Sequence, residues 1–266
     1  MISDEPVALV TGAARGIGAA TVRALHRDGF RVMAVDACSG SDHGMAEARY
    51  AMAHRHELES LAEELGDRVT MHVADVRHPV ELYRAVDHTL ARWGRLDAAV
   101  AAAAVMAGGE PLWSPAAHRQ LEALWRVDVE GVWNTAAATV PAILAGPDPR
   151  RGRFVALAST AGGRGLFRLA AYCTVKHAVV GLIRGLAADL AGTGVCAMAV
   201  CPGATRTAML QATAAIYDIP EDHLASSSLV GEVLDPDEIA ATIAFCCSRP
   251  ARALNGSVIT ADGGAA

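Results

Sequence analysis

The chain has 266 residues, of which 52% are hydrophobic and only 5% aromatic, and its formal net charge is -6 at pH 7. This length and an aliphatic core favour one α/β domain over two small ones. An acidic surface attracts neither nucleic acid nor anionic lipid, so the charge argues against both and favours a small-molecule partner.

The cysteines and the N-terminus indicate the compartment. None of the six cysteines forms a Cys-x-x-Cys pair, and several lie in apolar runs where a reduced thiol packs as a small hydrophobic group. The N-terminus lacks a basic region, and no window of about 18 apolar residues follows it. We therefore expect a cytoplasmic protein without a membrane segment.

The first elements predict a βαβ unit. The apolar run 7–10 ends at Thr-Gly, a helical pattern extends to about Arg27, and residues 31–36 form a second strand. Five further strands, separated by helical stretches, are predicted at 69–73, 96–102, 154–158, 195–200 and 257–260. This alternation predicts a single-domain, doubly wound parallel sheet of seven strands with helices on both faces.

Two segments interrupt the alternation. Residues 37–56 contain His43, His54 and His56, but no zinc-like ligand spacing accompanies them, so we expect a polar surface excursion and no metal. Residues 207–234 are apolar without a clean period. They are interpreted as a substrate lid, with a subunit contact or a surface segment as the alternative.

A glycine-rich loop follows the first predicted strand. Gly12, Gly16 and Gly18 stand directly before a helical pattern. The unsatisfied N–H groups of a helix N-terminus carry partial positive charge, so glycines that let a pyrophosphate approach them create an anion site. Alone, this spacing also fits an ordinary strand-to-helix turn.

Asp36 supports the nucleotide interpretation. It ends the second predicted strand, where a carboxylate accepts hydrogen bonds from the adenosine ribose. Its charge repels a 2′-phosphate, which favours NAD over NADP, although Arg15 could meet such a phosphate. Asp75, after the third strand, either binds the adenine amino group or caps the helix that starts at Pro79.

Tyr172 and Lys176 are four residues apart in a helical pattern, with Ser159 upstream. This spacing places the first two on one helix face. A free tyrosine titrates near about 10, and we expect the ammonium of Lys176, together with the positive charge of an oxidised nicotinamide, to bring the pKa of Tyr172 toward neutrality. Tyr172 then serves as acid and base in hydride transfer. For Ser159, the alternative is a structural cap of the turn at Gly162.

In their order and spacing, these motifs resemble the short-chain dehydrogenase/reductase family over essentially the whole chain, and Pro202–Gly203 and Asp262–Gly264 extend the resemblance. The resemblance implies a Rossmann fold and an oxidoreductase acting on CH–OH groups. Ser159 is implied to hold the substrate oxygen and Tyr172 to transfer its proton, while Lys176 holds the nicotinamide ribose and lowers the tyrosine pKa.

The implied NAD site is extensive, and Thr207 is implied to contact the nicotinamide carboxamide. The candidate cofactor-binding residues are Gly12, Arg15, Gly16, Ile17, Gly18, Asp36, Asp75, Val76, Ala102, Ala103, Tyr172, Lys176, Pro202, Gly203, Thr205 and Thr207.

Two positions depart from the family pattern. Ala101–Ala104 replaces an Asn-Asn-Ala-Gly motif, which removes side-chain hydrogen bonds that steady the sheet and the cofactor. Asp128 stands where the family has an asparagine, often counted as a fourth catalytic residue. We expect Asp128 to accept from a lysine-bound water and to add negative charge near Lys176, so that catalysis persists with an altered proton relay.

Four stretches resemble the mycofactocin-coupled branch of the family: 99–109, 128–133, 165–172 and the long segment after Asp36. That resemblance implies a tightly held, non-exchanging NAD, with mycofactocin as the external electron acceptor. The expected reaction is oxidation of an apolar, secondary alcohol. An ordinary dehydrogenase or reductase with freely exchanging NAD(H) is the alternative.

A different class of function is a nucleotide-binding sensor or scaffold without turnover, which only the alanines at 101–104 favour. The substrate pocket is expected to involve Met106, Phe167, Leu210 and Tyr217, each of which could equally pack in the core or the lid. The helix predicted at 170–190 is apolar on more than one face. Together with the resemblance, this predicts a homotetramer.

Overall fold

The computed structural model describes residues 5–40, 45–226 and 228–265. His43 therefore lies outside the described residues. The strands are β1 (Val7–Thr11), β2 (Arg31–Asp36), β3 (Val69–Val73), β4 (Ala98–Ala101), β5 (Arg153–Leu157), β6 (Cys196–Pro202) and β7 (Val258–Ala261). The α-helices are α1 (Gly16–Arg27), α2 (Arg55–Leu65), α3 (Pro79–Trp93), α4 (Pro115–Leu124), α5 (Glu130–Leu144), α6 (Ala170–Asp189), α7 (Ala208–Tyr217) and α8 (Pro236–Cys247).

The seven strands form one sheet in the order β3-β2-β1-β4-β5-β6-β7, and every pairing is parallel. The chain winds outward from β1 in one direction and, from β4, in the other. The carboxyl ends of β1 and β4 therefore flank the crevice in which open α/β sheets bind ligands. This confirms the predicted doubly wound fold.

The sheet is buried on both faces because alternate strand residues enter two different cores. Leu9 belongs to the core under α3, α5 and α6, whereas its neighbours Ala8 and Val10 belong to the core under α1, α2 and α8. All three are 0% exposed. Small alanines on the strands let the helices approach closely on either side, as the aliphatic composition predicts.

Helices α4 and α5 are joined by a π-helical turn at Trp125–Val129. Such turns are rare and add a residue to the helical repeat. This one directs Asp128 inward, where its side chain is 0% exposed.

The predicted lid is more regular than its sequence suggests. It contains α7 and a short 3-10 turn at Glu221–Ala225. Leu210, Ala225 and Val233 form a small core of their own beside the main sheet. Within the described parts of the chain, no helix is long and apolar enough to cross a membrane.

Candidate active site

A cavity of about 1050 Å³ opens at the carboxyl ends of the strands. All sixteen predicted cofactor residues line it, together with Ser159 and three of the four predicted substrate residues. The glycine loop and Asp36 stand on one side of the sheet's crevice and the Ser159, Tyr172 and Lys176 group on the other. The fold therefore brings together two motifs that are more than 140 residues apart in the chain.

Two glycines of the loop lie so close to neighbouring backbone that no side chain fits there. A Cβ on Gly12 would lie 2.6 Å from the backbone nitrogen of Ala103, and φ at Gly12 is +68°. A Cβ on Gly18 would collide with the carbonyl oxygen of Gly12. Arg15 precedes α1 and makes no side-chain cap, so the N–H groups at the start of α1 face the cavity unsatisfied by a cap. This end of the cavity fits a pyrophosphate.

Asp36 is held in place by the loops that surround it. Its two carboxylate oxygens accept from the backbone N–H groups of Ala14 (3.1 Å) and Cys38 (2.9 Å). Burial raises its pKa, and these two hydrogen bonds oppose the shift. The carboxylate lines the cavity next to the glycine loop, which is the place a ribose hydroxyl requires.

Ser159, Tyr172 and Lys176 form the opposite end of the cavity. Ser159 follows β5, and its Oγ accepts from the N–H of Ala161, so it does cap the 3-10 turn that begins there. Its hydroxyl also acts on Tyr172, where it helps to lower the pKa of the phenol against the effect of burial. The structural and the functional interpretation of this serine are therefore compatible. The ammonium of Lys176 lies 5.5 Å from the centroid of the Tyr172 ring, on the same face of α6.

Asp128 contacts Lys176 directly. Its Oδ2 lies 2.9 Å from the Nζ of Lys176, and both side chains are almost completely buried. Its Oδ1 accepts from the N–H of Val105, 2.9 Å away. The carboxyl group thus contacts the ammonium directly where a water-mediated contact was expected, because opposite charges attract each other most strongly at close range. Burial raises the pKa of Asp128, and Lys176 opposes that shift.

Burial raises the pKa of Tyr172 in the protein without nucleotide; the charge of Lys176 opposes that shift and the charge of Asp128 adds to it. The expected shift of this pKa toward neutrality also needs the positive charge of the oxidised nicotinamide, and it stays a prediction. Burial lowers the pKa of Lys176, but the adjacent Asp128 outweighs burial and raises it overall. Tyr172 is therefore a phenol and Lys176 an ammonium at neutral pH in the protein without nucleotide.

Known proteins resemble this chain over its whole length. A family model described as Enoyl-(Acyl carrier protein) reductase matches residues 12–266. The A-factor type gamma-butyrolactone 1'-reductase (1S-forming) of Streptomyces virginiae is 33% identical, with 99% of this chain and 96% of that protein covered. (-)-trans-Carveol dehydrogenase of Rhodococcus erythropolis is 32% identical, with 98% and 97% covered.

The chain belongs to the short-chain dehydrogenase/reductase family. It is therefore an oxidoreductase. The structure of carveol dehydrogenase from Mycobacterium avium in complex with NAD superposes with a TM-score of 0.88 at 26% identity, covering 98% of this chain and 97% of that chain. The likeness extends from the sheet to the helices on both faces.

A strap, residues 45–53, crosses between the two lips of the cavity of this dehydrogenase. Tyr50 Oη accepts from the N–H of Met106, which follows β4, at 3.1 Å. On the other lip, the guanidinium of Arg15 donates to the carbonyl of Ala51 at 2.6 Å and stacks 5.9 Å from the Tyr50 ring centroid. The strap therefore closes part of the crevice and holds the guanidinium of Arg15 against Tyr50 and Ala51.

The segment after β4 keeps its shape without the family's asparagines. Thr11 Oγ1 accepts from the N–H groups of Ala102 (3.2 Å) and Ala103 (3.4 Å). Asp128 and Tyr50 accept from the N–H groups of Val105 and Met106, as described above. Side chains from three other parts of the chain thus replace the missing amides.

Asp75 is not the cap of α3, because His78 occupies that position. The Asp75 carboxylate pairs instead with the guanidinium of Arg77, which helps to keep its pKa low despite burial. It lines the cavity beside Val76. The capping interpretation is therefore wrong, and a role at the adenine stays a prediction.

The four predicted substrate residues separate into two groups. Met106, Leu210 and Tyr217 line the cavity. Phe167 is 75% exposed and lies outside the cavity lining, although its carbonyl accepts from Tyr217 Oη at 2.8 Å. Phe167 is therefore neither a core residue nor part of the pocket wall, because the loop before α6 directs its ring outward.

Sequence patterns missed several residues of the site. Met45, Tyr50 and Met52 of the strap line the cavity, as does Met209, whose sulfur lies 3.9 Å from Tyr172 Oη. No local signal marks them, since each lies in an irregular or uniformly apolar stretch. Among the described residues, no group of three His, Cys, Asp or Glu side chains could hold a metal ion.

Proposed function

We propose that this dehydrogenase oxidises an apolar secondary alcohol with tightly bound NAD. The observation that carries the proposal is the arrangement of Ser159, Tyr172 and Lys176 at one end of a single cavity whose other end holds the glycine loop and Asp36. Ser159 and Tyr172 bind the substrate oxygen, and Lys176 holds the nicotinamide ribose. When bound, the nicotinamide supplies the hydride acceptor.

NAD is favoured over NADP by two features of the adenosine end. The Asp36 carboxylate repels a 2′-phosphate at short range. Arg15, the side chain that could have met such a phosphate, donates to Ala51 and stacks on Tyr50 instead. A related carveol dehydrogenase was solved in complex with NAD, which supports the same choice.

The second part of the proposal is that NAD exchanges slowly and that mycofactocin re-oxidises the reduced cofactor while it stays bound. The strap supports slow exchange, because a dinucleotide beneath it could leave only after Tyr50 releases Met106 or Arg15. The resemblance of residues 99–109 and 128–133 to the mycofactocin-coupled branch supports mycofactocin as the electron acceptor. An apolar substrate suits the side chains of Met106, Leu210 and Tyr217, and residues 207–234 serve as its lid.

The protein is further proposed to act in the cytoplasm as a homotetramer. All six cysteines are free thiols, five of them buried, which suits a reducing compartment.

The first test measures nucleotide content. The purified protein is denatured without added cofactor and the released NAD(H) is quantified per subunit, before and after long dialysis. About one nucleotide per subunit surviving dialysis supports retention, and alcohols are then screened with an artificial electron acceptor. An empty site that refills with NAD favours an ordinary dehydrogenase, which is assayed by NADH absorbance.

Tyr172→Phe tests whether the chain is an enzyme. Because a positioned acid and base contributes roughly 100-fold or more, we expect alcohol oxidation to fall by about that factor while nucleotide content is unchanged. Tyr83→Phe, a substitution of a half-exposed tyrosine on α3, is the matched control. Unchanged cellular function of Tyr172→Phe would favour a nucleotide-binding sensor or scaffold.

A further inference from the structure

Asp128 presents one oxygen that can take up a proton. The side chain is 0% exposed. Oδ1 already accepts from Val105. Oδ2 lies 2.9 Å from Lys176 Nζ and forms a buried ion pair with it. Burial disfavours the charged form of a carboxylate and raises the pKa of Asp128, so this oxygen can take up a proton.

Tyr172 needs such a group if it is to act as a base. An alcohol can give its proton to Tyr172 Oη only when that oxygen carries none. In the protein without nucleotide, burial raises the pKa of Tyr172 and the phenol holds its proton at neutral pH. For Tyr172 to act as a base, that proton has to move to another group.

Few groups face the pair formed by Asp128 and Lys176. Helix α6 contributes Lys176 and Tyr172, the strap contributes Tyr50, and β6 contributes Cys201 near the ammonium. Burial raises the pKa of Tyr50 to about 12 and also raises the pKa of Cys201, so both are neutral. Among these groups, Asp128 is the one carboxyl group; burial raises its pKa and Lys176 opposes that shift.

We propose that Asp128 is the proton acceptor of this site and stores the proton that alcohol oxidation produces. This inference rests on the proposed function. The Lys176–Asp128 pair takes the phenol proton of Tyr172, which leaves a protonated Asp128 Oδ2, a charged Lys176 and a phenolate. The alcohol then gives its hydroxyl proton to Tyr172 Oη and a hydride from carbon to the oxidised nicotinamide, and becomes a carbonyl compound. Alcohol oxidation therefore leaves one additional proton in the site. In the reverse direction, carbonyl reduction, this proton returns to the substrate oxygen through Tyr172.

Two roles of Asp128 predict opposite pH dependence. If Asp128 accepts the proton, oxidation requires only that Asp128 is ionised, and the acid limb of the pH profile lies at the pKa of Asp128. In Asp128→Asn, Tyr172 must itself be ionised, so the limb moves to higher pH. If Asp128 only neutralises Lys176, its removal stabilises the phenolate and the limb moves to lower pH.

The test is the pH dependence of kcat for alcohol oxidation by the NAD-loaded enzyme. We expect Asp128→Asn to move the acid limb upward by about one pH unit or more, and Asp128→Glu, which keeps the carboxylate, to leave it near the wild-type position. Asp97→Asn is the matched control, since Asp97 is a buried carboxylate paired with Arg95 at the opposite end of β4. It should lower stability without moving the limb. A downward shift, or none, in Asp128→Asn would overturn the proposal.

A second measurement uses the nucleotide-free protein and does not depend on turnover. Infrared difference spectra should show the C=O band of a protonated carboxylic acid over the pH range of the acid limb, and Asp128→Asn should lack it. Ultraviolet absorbance, assigned with Tyr172→Phe, should show no tyrosinate from Tyr172 in that range. Tyrosinate appearing there contradicts the proposal, even if Asp128→Asn does not fold.

The two proposals fail in different ways. If the wild-type protein oxidises no alcohol with any acceptor, the proposed function is wrong, and the infrared band still decides whether Asp128 takes up a proton. If alcohol is oxidised but the band is absent, the proton acceptor is not Asp128.

Discussion

Arg153 is a charged side chain in the core, with 0% of its surface exposed. Within the part of the chain that the structure describes, no hydrogen bond of its guanidinium goes to a carboxylate. It donates instead to the carbonyls of Ser248 and Arg249, which follow α8, and to those of Arg150 and Gly152 before β5. Burial lowers its pKa. The residue thus ties the end of α8 to the start of β5.

Removing that guanidinium should destabilise the protein without affecting the site. Arg153→Met removes four hydrogen bonds from the guanidinium to backbone carbonyls, and each such bond contributes about 1 kcal/mol to stability. We expect the free energy of unfolding in urea to fall by roughly 3 kcal/mol or more, with nucleotide content per folded subunit unchanged. Arg55→Ala, which removes an exposed i,i+4 pair with Glu59, should change it by less than about 0.5 kcal/mol.

At the scale of elements, the strap has the clearest functional consequence. It has no regular secondary structure of its own, and its contacts with the two lips of the cavity are a few hydrogen bonds and one stacked guanidinium. Elements held by few contacts open at low free-energy cost. The strap is therefore the part of the site whose opening would control nucleotide exchange.

Tyr50 provides the test. Tyr50→Ala removes both the acceptor for Met106 and the ring beneath Arg15, so we expect NAD to dissociate roughly 10-fold faster or more, since each lost hydrogen bond is worth about 1 kcal/mol. Release can be followed by dialysis or by exchange with labelled NAD. Tyr50→Phe keeps the ring and should give a smaller increase. Equal rates in all three proteins would show that the strap does not limit exchange.

The same variant bears on cofactor choice. With Tyr50 absent, Arg15 is less constrained and more available to a 2′-phosphate. Tyr50→Ala should therefore narrow the preference for NAD over NADP, while Tyr50→Phe should retain it. The measurement is the ratio of the two dissociation constants.

The elements were predictable to different degrees. All seven predicted strands overlap observed ones, because a buried parallel strand is a short aliphatic run bounded by turn residues. Helix α7 was not predicted, since Ala208–Tyr217 is apolar on nearly every side and shows no helical period. The strap was expected to be a surface excursion, because nothing in its local sequence reveals what Tyr50 contacts.

For the whole molecule, the outer surface supports the proposed tetramer. On α5, Trp133 is 65% exposed and Leu144 is 38% exposed. On α6, Gly181 and Gly185 face open space, so another backbone could approach there. Exposed apolar side chains and exposed small residues are both features that a second subunit can cover.

Light scattering tests this assembly. We expect a mass of about four times the 27.6 kDa chain, and dissociation into smaller species when Trp133→Glu places a charge in the contact. Tyr83→Glu, on α3, is the control and should leave the mass unchanged. A monomeric wild-type protein contradicts the proposal.

The features that could be predicted from the sequence are those that depend on residues close together in the chain. Strand periodicity, the glycines of the loop and the Tyr172-x-x-x-Lys176 spacing follow from backbone geometry over one or two turns, so they predicted the fold, the family and most of the cavity wall. Folding alone joins Asp128 to Lys176 and Tyr50 to Met106, and it excludes water from Tyr172. These contacts depend on packing between distant segments, and burial determines the pKa of each group; neither is encoded in any local pattern.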